Sequence, residues 1–457
     1  MCESEAKDAI DFEEVSNIPD AGESMTGSHI ASGQPSNRRQ RLDAIAKDFL
    51  GKEETENVVV SLPMYYGDLL SWALRYFLEN SGWHVNNIFG YHEQRPVYSD
   101  ALVGYELRQS LLRDGIVFIE KDDGRLVITV NGLLNYVLIT GSSDCKELAD
   151  EVAHWIRIIA KTCNFYRGGK IELMRGIYFI EPPAKTWENL ILDPGVKEEI
   201  WGNTIGFLEK RHLLRKFGVP AKRGVLLVGE PGTGKTLLCK GIMSAAKEFT
   251  FIKANQKYLD DPRYIVNLYK VALDLSPSIV FIEDIDRIAS GRMEFRGLAT
   301  ITTLLDILDG LEELNEVVTV ATTNSLETID KAFTSRPSRF DRVIELPLPN
   351  RELREELIAQ ACNKLALSDD NRAYIAGKTE NCTPAQIQEI IYTLAIDYCH
   401  NEEASRAGCP SFSQVKLSEA IAKVVRKDGR RMGFIMTDNG NRMDKTRTAR
   451  IHEVDMN

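Results

Sequence analysis

Short, uninterrupted apolar runs alternate with helical patterns through the middle of this chain. The runs GVLLVG (224–229), SIVFIED (278–284) and VVTVATT (317–323) are separated by segments with apolar residues at helical spacing. Such runs are typical of strands buried on both faces of a parallel sheet. The pattern therefore predicts an α/β module, and its sheet is expected to include TFIKA (250–254) and RVIELP (342–347).

The segment before this module mixes helical and strand patterns. Apolar spacing predicts helices over 64–79 and 144–163. GIVFIEKDDGRLVITV (115–130) alternates apolar and polar residues like two strands joined by a turn. KIELMRGIYFIEPP (170–183) is interpreted as a further strand pair, which its two prolines end. Residues 57–183 are therefore expected to form an α+β N-terminal domain.

After Pro349 the pattern becomes helical, which predicts a small α-helical subdomain. Residues 1–40 are polar and cannot bury enough apolar surface to fold alone. The predicted organisation is an acidic, largely disordered tail over 1–56, an α+β domain over 57–183, a large α/β subdomain over 184–348, an α-helical subdomain over 349–429 and a basic tail over 430–457.

Charge is distributed unevenly, although the formal net charge is −11. Residues 1–34 hold eight Asp or Glu against one Lys, and residues 423–450 hold nine Lys or Arg against three Asp. The overall acidity provides no global field that would attract nucleic acid. The basic tail could neutralise phosphates, but such tails are usually solvated, so nucleic acid is only a minor candidate partner.

The cysteines and the apolar segments bear on the cellular compartment. Eight cysteines are scattered without a C-x-x-C pair, which favours a reducing, cytoplasmic location. The acidic N-terminus lacks the apolar core of a secretory signal. The run LVITVNGLLNYVLIT (126–140) is shorter than a membrane span and contains two Asn. We interpret it as a buried strand and expect no membrane association.

GEPGTGKT (229–236) matches the phosphate-loop pattern G-x-x-x-x-G-K-[ST] between a predicted strand and a predicted helix. Its glycines let backbone N–H groups surround anionic oxygens at the positive end of the helix. Lys235 can reach the β- and γ-phosphates, and the Thr236 hydroxyl can ligate Mg²⁺. The pattern predicts ATP and Mg²⁺ as cofactors. The candidate cofactor-binding residues are Gly229, Glu230, Pro231, Gly232, Thr233, Gly234, Lys235, Thr236 and Leu237.

Two adjacent acids, Glu283 and Asp284, end the apolar strand SIVFI. In a fold with a phosphate loop, acids at the end of such a strand bind the Mg²⁺ and orient the attacking water. Successive strand residues face opposite sides. We therefore expect different roles, one acid acting on the metal through water and the other on the attacking water.

The motifs GEPGTGKT, FIEDID, VATTN and SRPSRFDRVIELPLPN occur in the order found in AAA-type ATPases, the narrow AAA branch of the AAA+ superfamily. The chain is identified by resemblance as a member over about 187–399. The resemblance implies a P-loop AAA+ module, with a parallel sheet flanked by helices and a small α-helical lid. It also implies Mg²⁺-dependent ATP hydrolysis in a homo-oligomeric ring, most often a hexamer.

The resemblance also implies roles for further residues. Asn324 resembles the sensor that helps to orient the attacking water. Arg336 and Arg339 resemble the paired arginine fingers, which reach the nucleotide site of the neighbouring subunit and stabilise transition-state charge. Gly218 and Val219 resemble the segment whose backbone borders the adenine. If these roles hold, a monomer has an incomplete catalytic site.

Three features depart from the usual family pattern. Ala385 follows a Pro where relatives usually show Gly-Ala against the nucleotide. The usual Asp-Glu order is reversed, so by position Glu283 takes the metal role and Asp284 polarises the water. The aromatic–aliphatic–Gly triplet that grips polypeptide in the ring pore falls on 257–259, KYL, with a displaced Tyr and no Gly.

The reversed acids and the altered loop occur together in one subgroup. The stretch 258–286 resembles the branch that contains the mitochondrial Rieske-protein translocase, which also has Glu-Asp there and a short acidic loop before it. That branch is active, so the reversed order does not imply an inactive enzyme. We expect no counterpart here of the transmembrane helix that anchors the mitochondrial member.

Three functional hypotheses follow. The first is an ATP-hydrolysing ring that remodels or translocates a protein client, selected with the help of residues 57–183. The second is an ATP-gated assembly switch or scaffold in which hydrolysis is only a slow reset. The third is an ATPase acting on nucleic acid through the basic tail. The first is favoured because the complete set of nucleotide motifs is present.

Overall fold

The computed structural model describes residues 37–425, apart from 53, 92–94, 182, 290–293, 311–314, 325–339, 363–364, 366 and 401–411. The chain divides into two compact units, Met1–Pro347 and Leu348–Asn457. Within its described residues, the first unit contains two β-sheets. None of the helices in the described ranges is long and apolar enough to cross a membrane.

The first sheet is antiparallel, with the strand order β1-β6-β5-β4-β2 and with β3 paired to β4. Residues 126–140, predicted to form one buried strand, instead form β5 and β6 around a short turn. The two predicted helices are confirmed as α2 and α3. The elements are α1 (Asn37–Leu50), β1 (Thr55–Ser61), α2 (Leu69–Asn80), β2 (His84–Phe89), β3 (Val97–Leu102), β4 (Arg108–Lys121), β5 (Gly124–Asn131), β6 (Tyr136–Ser142) and α3 (Lys146–Thr162).

Helices cover both faces of this sheet because its strands alternate apolar residues between the faces. Val117 and Ile119 of β4 are buried in the core that also contains the apolar sides of α2 and α3. The intervening Phe118 faces the other way and meets Phe49 of α1 edge-on, with ring centroids 5.1 Å apart. The N-terminal part is thus α+β, as the sequence predicts. The expected disordered tail over 1–56 is corrected, because α1 (Asn37–Leu50) packs Phe49 on the sheet and β1 already begins at Thr55.

The second sheet is the predicted α/β module, and all five predicted strands are present in it. Its order is β13-β9-β12-β11-β10-β7-β8, and every neighbouring pair is parallel except β7 and β8. The elements are β7 (Lys170–Leu173), β8 (Ile177–Phe179), α4 (Pro194–Asn203), α5 (Ile205–Glu209), α6 (Arg211–Lys216), β9 (Lys222–Val228), α7 (Lys235–Ala245), β10 (Thr250–Ala254), α8 (Pro262–Asp274), β11 (Ser278–Ile282), α9 (Asp286–Ala289), α10 (Glu294–Asp309), β12 (Val317–Thr323) and β13 (Arg342–Glu345).

The strand pair at 170–179 corrects the predicted domain boundary at 183/184. It was expected in the N-terminal domain, but β7 pairs with β10 in parallel, with Lys170 opposite Phe251. The Phe251 N–H also donates to the Gly169 carbonyl at 2.9 Å. Local alternation identifies a strand but not its partner, which is a non-local contact. Residues 170–179 therefore extend the second sheet.

One face of the second sheet is packed around two central phenylalanines. Phe251 on β10 and Phe281 on β11 are completely buried and stack with ring centroids 6.1 Å apart. They lie in a core shared with the apolar side of α7, including Leu238 and Ile242. The strands from whose ends the functional residues extend are packed firmly in this core.

Phe281→Ala is expected to lower the free energy of unfolding by about 3–5 kcal/mol, because it leaves a cavity in a close-packed core. Phe217→Ala removes the same group from a side chain that is 81% exposed and should change stability by less than about 0.5 kcal/mol. Urea denaturation followed by circular dichroism measures both. Equal losses of stability in the two variants would contradict the assigned core.

The second unit is helical over its described residues, as predicted. Its helices are α11 (Arg351–Ala361), α12 (Asp369–Lys378), α13 (Pro384–Cys399) and α14 (Gln414–Val424). Each begins after a side chain that accepts a hydrogen bond from an N–H of the first turn, which stabilises the helix start. These N-caps are Asn350, Ser368, Thr383 and Ser413. The predicted basic tail, 430–457, lies outside the described residues.

Candidate functional site

The phosphate loop, residues 229–236, leaves the carboxyl end of β9 and leads into α7. Gly232 and Gly234 have φ values of +89° and +99°, which residues with a Cβ rarely adopt. The Gly229 N–H donates to the Thr323 carbonyl at 3.2 Å, which fixes the start of the loop to β12. The sequence has glycine where the chain must turn tightly onto the helix N-terminus.

Lys235 lies over the loop that precedes it. Its ammonium donates to the carbonyl oxygens of Gly229 at 2.7 Å and Glu230 at 3.0 Å, and the residue is buried. The Thr233 hydroxyl donates to the same Glu230 carbonyl at 2.8 Å. These contacts hold a positive charge at the N-terminus of α7, where the helix dipole also favours an anion. The exposed members of the loop are Glu230, Pro231, Gly232 and Thr236, and Leu237, which follows the loop, is exposed as well.

Glu283 follows β11 and is largely buried, with 12% of its side chain exposed. Its Oε2 lies 3.2 Å from the Lys253 Nζ of β10. Its Oε1 is buried and has no hydrogen-bond partner among the described residues. Burial lowers the pKa of Lys253, but the nearby Glu283 raises it, and the net effect is an increase. The pKa of the Cys239 thiol on α7 is raised, mainly by burial and next by Glu283. The Glu283 carboxylate therefore influences ionisable groups on both β10 and α7.

Asp284 adopts a different geometry from its neighbour. Its φ is +48°, and its N–H donates to the Thr322 hydroxyl at 2.9 Å. Its Oδ1 accepts from the Asn324 Nδ2 at 3.4 Å, and its Oδ2 lies 3.9 Å from the Arg287 guanidinium. The left-handed backbone separates the directions of the two adjacent carboxylates. The structure thus brings Asn324, at the end of β12, to Asp284 rather than to Glu283.

Asp286 is a residue that the sequence reasoning missed. Its Oδ1 accepts from the Thr323 hydroxyl and from the Asn324 N–H, both at 3.2 Å. Its Oδ2 lies 3.3 Å from the Asn324 Nδ2. Asp286 therefore holds both the backbone and the amide of Asn324. The third acid of FIEDID was the available signal, but spacing alone does not show which strand it would contact.

Glu283 and Thr236 provide the donors that a magnesium ion prefers. A buried carboxylate oxygen without a partner among the described residues and a helix-start hydroxyl are both hard oxygen ligands. Mg²⁺ usually keeps several waters, so it needs few protein ligands. The described residues contain no cluster of three or more His, Cys, Asp or Glu that could hold a metal ion. When bound, the ion would neutralise charge on the phosphate oxygens.

Gly218 and Val219 do not lie beside the phosphate loop. They precede β9, whereas the loop follows it, and a seven-residue strand is roughly 20 Å long. They line an open cleft of about 430 Å³ together with Arg215, Lys222 and Asn315. The expectation that this pair borders the adenine is therefore corrected, because strand direction places it at the amino edge of the sheet.

The remaining predicted site residues fall elsewhere. Arg336 and Arg339 lie outside the described residues. Ala385 lies in the second unit, in the first turn of α13, which a capping box between Thr383 and Gln386 begins. The roles of all three remain predictions.

The segment at the predicted pore-loop position is a short 3₁₀ helix, Gln256–Tyr258. The Tyr258 ring stacks on Tyr264 at 5.7 Å between centroids, and Leu259 is buried. Tyr258 also borders an open groove of about 730 Å³ shared with Met64 and Tyr65 of the N-terminal part. The displaced tyrosine therefore packs within its own chain.

The sequence is similar to known ATPases. A model of the ATPase family associated with various cellular activities (AAA) matches residues 225–348. The 26S proteasome regulatory subunit 6B homolog of Encephalitozoon cuniculi is 34% identical over 49% of this chain and 59% of its own length. The proteasome-activating nucleotidase of Methanocella arvoryzae is 33% identical over 49% of this chain and 55% of its own.

A longer alignment exists with the proteasome-activating nucleotidase of Archaeoglobus fulgidus. It is 30% identical over 332 residues, which cover 68% of this chain and 80% of that relative. The chain spans less than two thirds of the length of the first two relatives. Those two alignments therefore concern the matched part alone.

Proposed function

Because the chain belongs to the AAA family of ATPases, we propose that it binds Mg²⁺-ATP at the phosphate loop and hydrolyses it there. The observation that carries this proposal is the meeting of Asn324 and Asp284, at 3.4 Å, on the same sheet edge as the phosphate loop. The strand β12, which Asn324 directly follows, lies between β9 and β11. A nucleotide on the loop would thus have its terminal phosphate towards these polar groups.

Each side chain has a distinct role in the proposed reaction. Lys235 would balance the charge of the β- and γ-phosphates, and Thr236 and Glu283 would hold the magnesium ion. Asp284 accepts hydrogen bonds and can polarise the attacking water, which Asn324 helps to orient. Arg336 and Arg339 are proposed to act on the nucleotide of a neighbouring subunit, which makes ring assembly part of the site.

The client of the proposed ATPase is a protein. Two of the relatives are named proteasome-activating nucleotidases and one a 26S proteasome regulatory subunit homolog. Similarity to these proteins supports an ATP-driven ring, most simply a homohexamer, that remodels or translocates polypeptide. The N-terminal sheet with α1–α3 is the candidate client-selecting part, since it carries exposed apolar residues such as Leu133 and Leu134 at a hairpin tip.

A slow, ATP-gated assembly switch is the second candidate. It is favoured by the short side chain of Asp284, which already shares its Oδ1 with Asn324 and Oδ2 with Arg287. Asp is one methylene shorter than Glu, so the water must sit closer to it. A wild-type protein that assembles only with ATP and turns over very slowly would favour this alternative over remodelling.

Asn324→Ala is expected to lower steady-state ATP hydrolysis about tenfold or more, because the group that orients the general base and the water is lost. The matched control is Asn315→Ala, which removes an exposed amide at the opposite edge of the sheet. Phosphate release by the wild type and both variants provides the measurement. Absence of hydrolysis by the wild type, or equal rates in all three proteins, would contradict the proposed function.

A further inference from the structure

Glu283 is held by a lysine from the neighbouring strand. Lys253 of β10 places its Nζ 3.2 Å from the Glu283 Oε2, and the exposed fractions of the two side chains are 33% and 12%. Only one carboxylate oxygen is engaged in this way. Within the described part of the chain, the buried Oε1 has no hydrogen-bond partner. The two oxygens of this carboxylate therefore have different surroundings.

The lysine approaches from the side away from the phosphate loop. Glu283 follows β11, and the phosphate loop follows β9. In the sheet order β9-β12-β11-β10, β9 therefore lies on one side of β11. Lys253 lies on β10, on the other side of β11, and is paired in register with Phe281. The ammonium can hold Oε2 without occupying the space between Glu283 and the loop.

A glutamate at the metal position needs such an anchor more than an aspartate would. Glutamate has one more rotatable bond than aspartate, and it loses more side-chain freedom when one orientation is required. A contact from a second residue that fixes a metal-binding carboxylate removes this cost before the ion arrives. The reversed order of the two acids is thus matched by a lysine on the next strand.

We propose that Lys253 is a positioning residue that holds Oε2 of Glu283, so that Oε1 is presented to the Mg²⁺ of the bound nucleotide. This inference rests on the proposed function, because it assumes that Glu283 is the metal-side acid. It adds a residue outside the nucleotide motifs and explains how a longer acid serves at that position.

The test measures ADP binding by isothermal titration calorimetry across a series of Mg²⁺ concentrations. Lys253→Met should raise the Mg²⁺ concentration needed for half-maximal tightening of ADP binding by 10- to 100-fold, the usual cost of losing a residue that orients a metal ligand. ADP affinity in EDTA should stay unchanged. Lys253→Arg, which keeps a charged donor, should shift the requirement by less than about threefold.

A second background separates positioning from general electrostatics. In Glu283→Asp the shorter side chain is not expected to reach Lys253, so adding Lys253→Met should change the Mg²⁺ requirement little. Melting temperatures in EDTA check that each variant is folded. An unchanged or lower Mg²⁺ requirement in folded Lys253→Met, or an equal shift in both backgrounds, would overturn the inference. A wild type that binds no ADP would instead overturn the proposed function and this inference with it.

Discussion

Replacing Lys235 with alanine is expected to reduce ATP hydrolysis by about 10²–10³-fold, the usual cost of removing one preorganised donor to developing charge. The lysine is buried and its ammonium is held by the Gly229 and Glu230 carbonyls, so its position is prepared before a phosphate arrives. Nucleotide affinity should fall as well, because the same charge acts on the ground state. Phosphate release and ADP titration measure the two effects.

The matched control for this variant is Lys240→Ala on the same helix. Lys240 is exposed five residues further along α7 and lies outside the phosphate loop. Lys240→Ala removes the same charge from the same helix. Any loss of hydrolysis caused by the changed net charge alone would therefore appear in both variants. Similar hydrolysis rates in Lys235→Ala and Lys240→Ala would show that Lys235 does not contact the phosphates.

Asp284→Asn is expected to lower hydrolysis by about 100-fold or more while leaving ATP affinity within about threefold, because it removes the group that polarises water. The substitution suits the site. Asn tolerates the left-handed φ of +48° and keeps an oxygen for the Asn324 amide. Loss of activity would therefore not reflect a rearranged backbone. Rates of phosphate release under single-turnover conditions, together with ATP titration, provide the measurement.

Glu283→Gln is the comparison that tests the division of labour between the two acids. The Glu283 carboxylate contacts Lys253 and not Asn324, so its loss should act mainly on Mg²⁺-dependent binding. If Glu283→Gln and Asp284→Asn change affinity and turnover in the same way, the separate roles are wrong. The Asp284→Asn protein, which should retain ATP, is also the form best suited to capturing protein clients.

Local sequence pattern was sufficient for most of the second sheet and for its phosphate loop. Continuous apolar runs identify strands buried on both faces, and all five predicted runs are strands of one sheet. The loop pattern combines glycines that permit left-handed φ with a lysine and a hydroxyl residue. These features depend on residues close together in the chain, where periodicity and steric limits act directly.

Contacts between distant segments account for what the sequence could not determine. The strand pair β7–β8 was recognised but assigned to the wrong sheet, since pairing with β10 joins residues about 80 positions apart. Gly218 and Val219 were placed near the nucleotide by resemblance, whereas the direction of β9 carries them to the opposite edge. Neither result follows from local alternation.

The sequence by itself determined that this chain contains an AAA-type nucleotide module, because the motifs are short and chemically constrained. It also determined the order of the two acids, Glu283 before Asp284. Only the tertiary structure decided what each acid contacts, since β10 supplies Lys253 to one and β12 supplies Asn324 to the other. Strand order selects these neighbours, and strand order results from packing across the whole sheet rather than from any single segment.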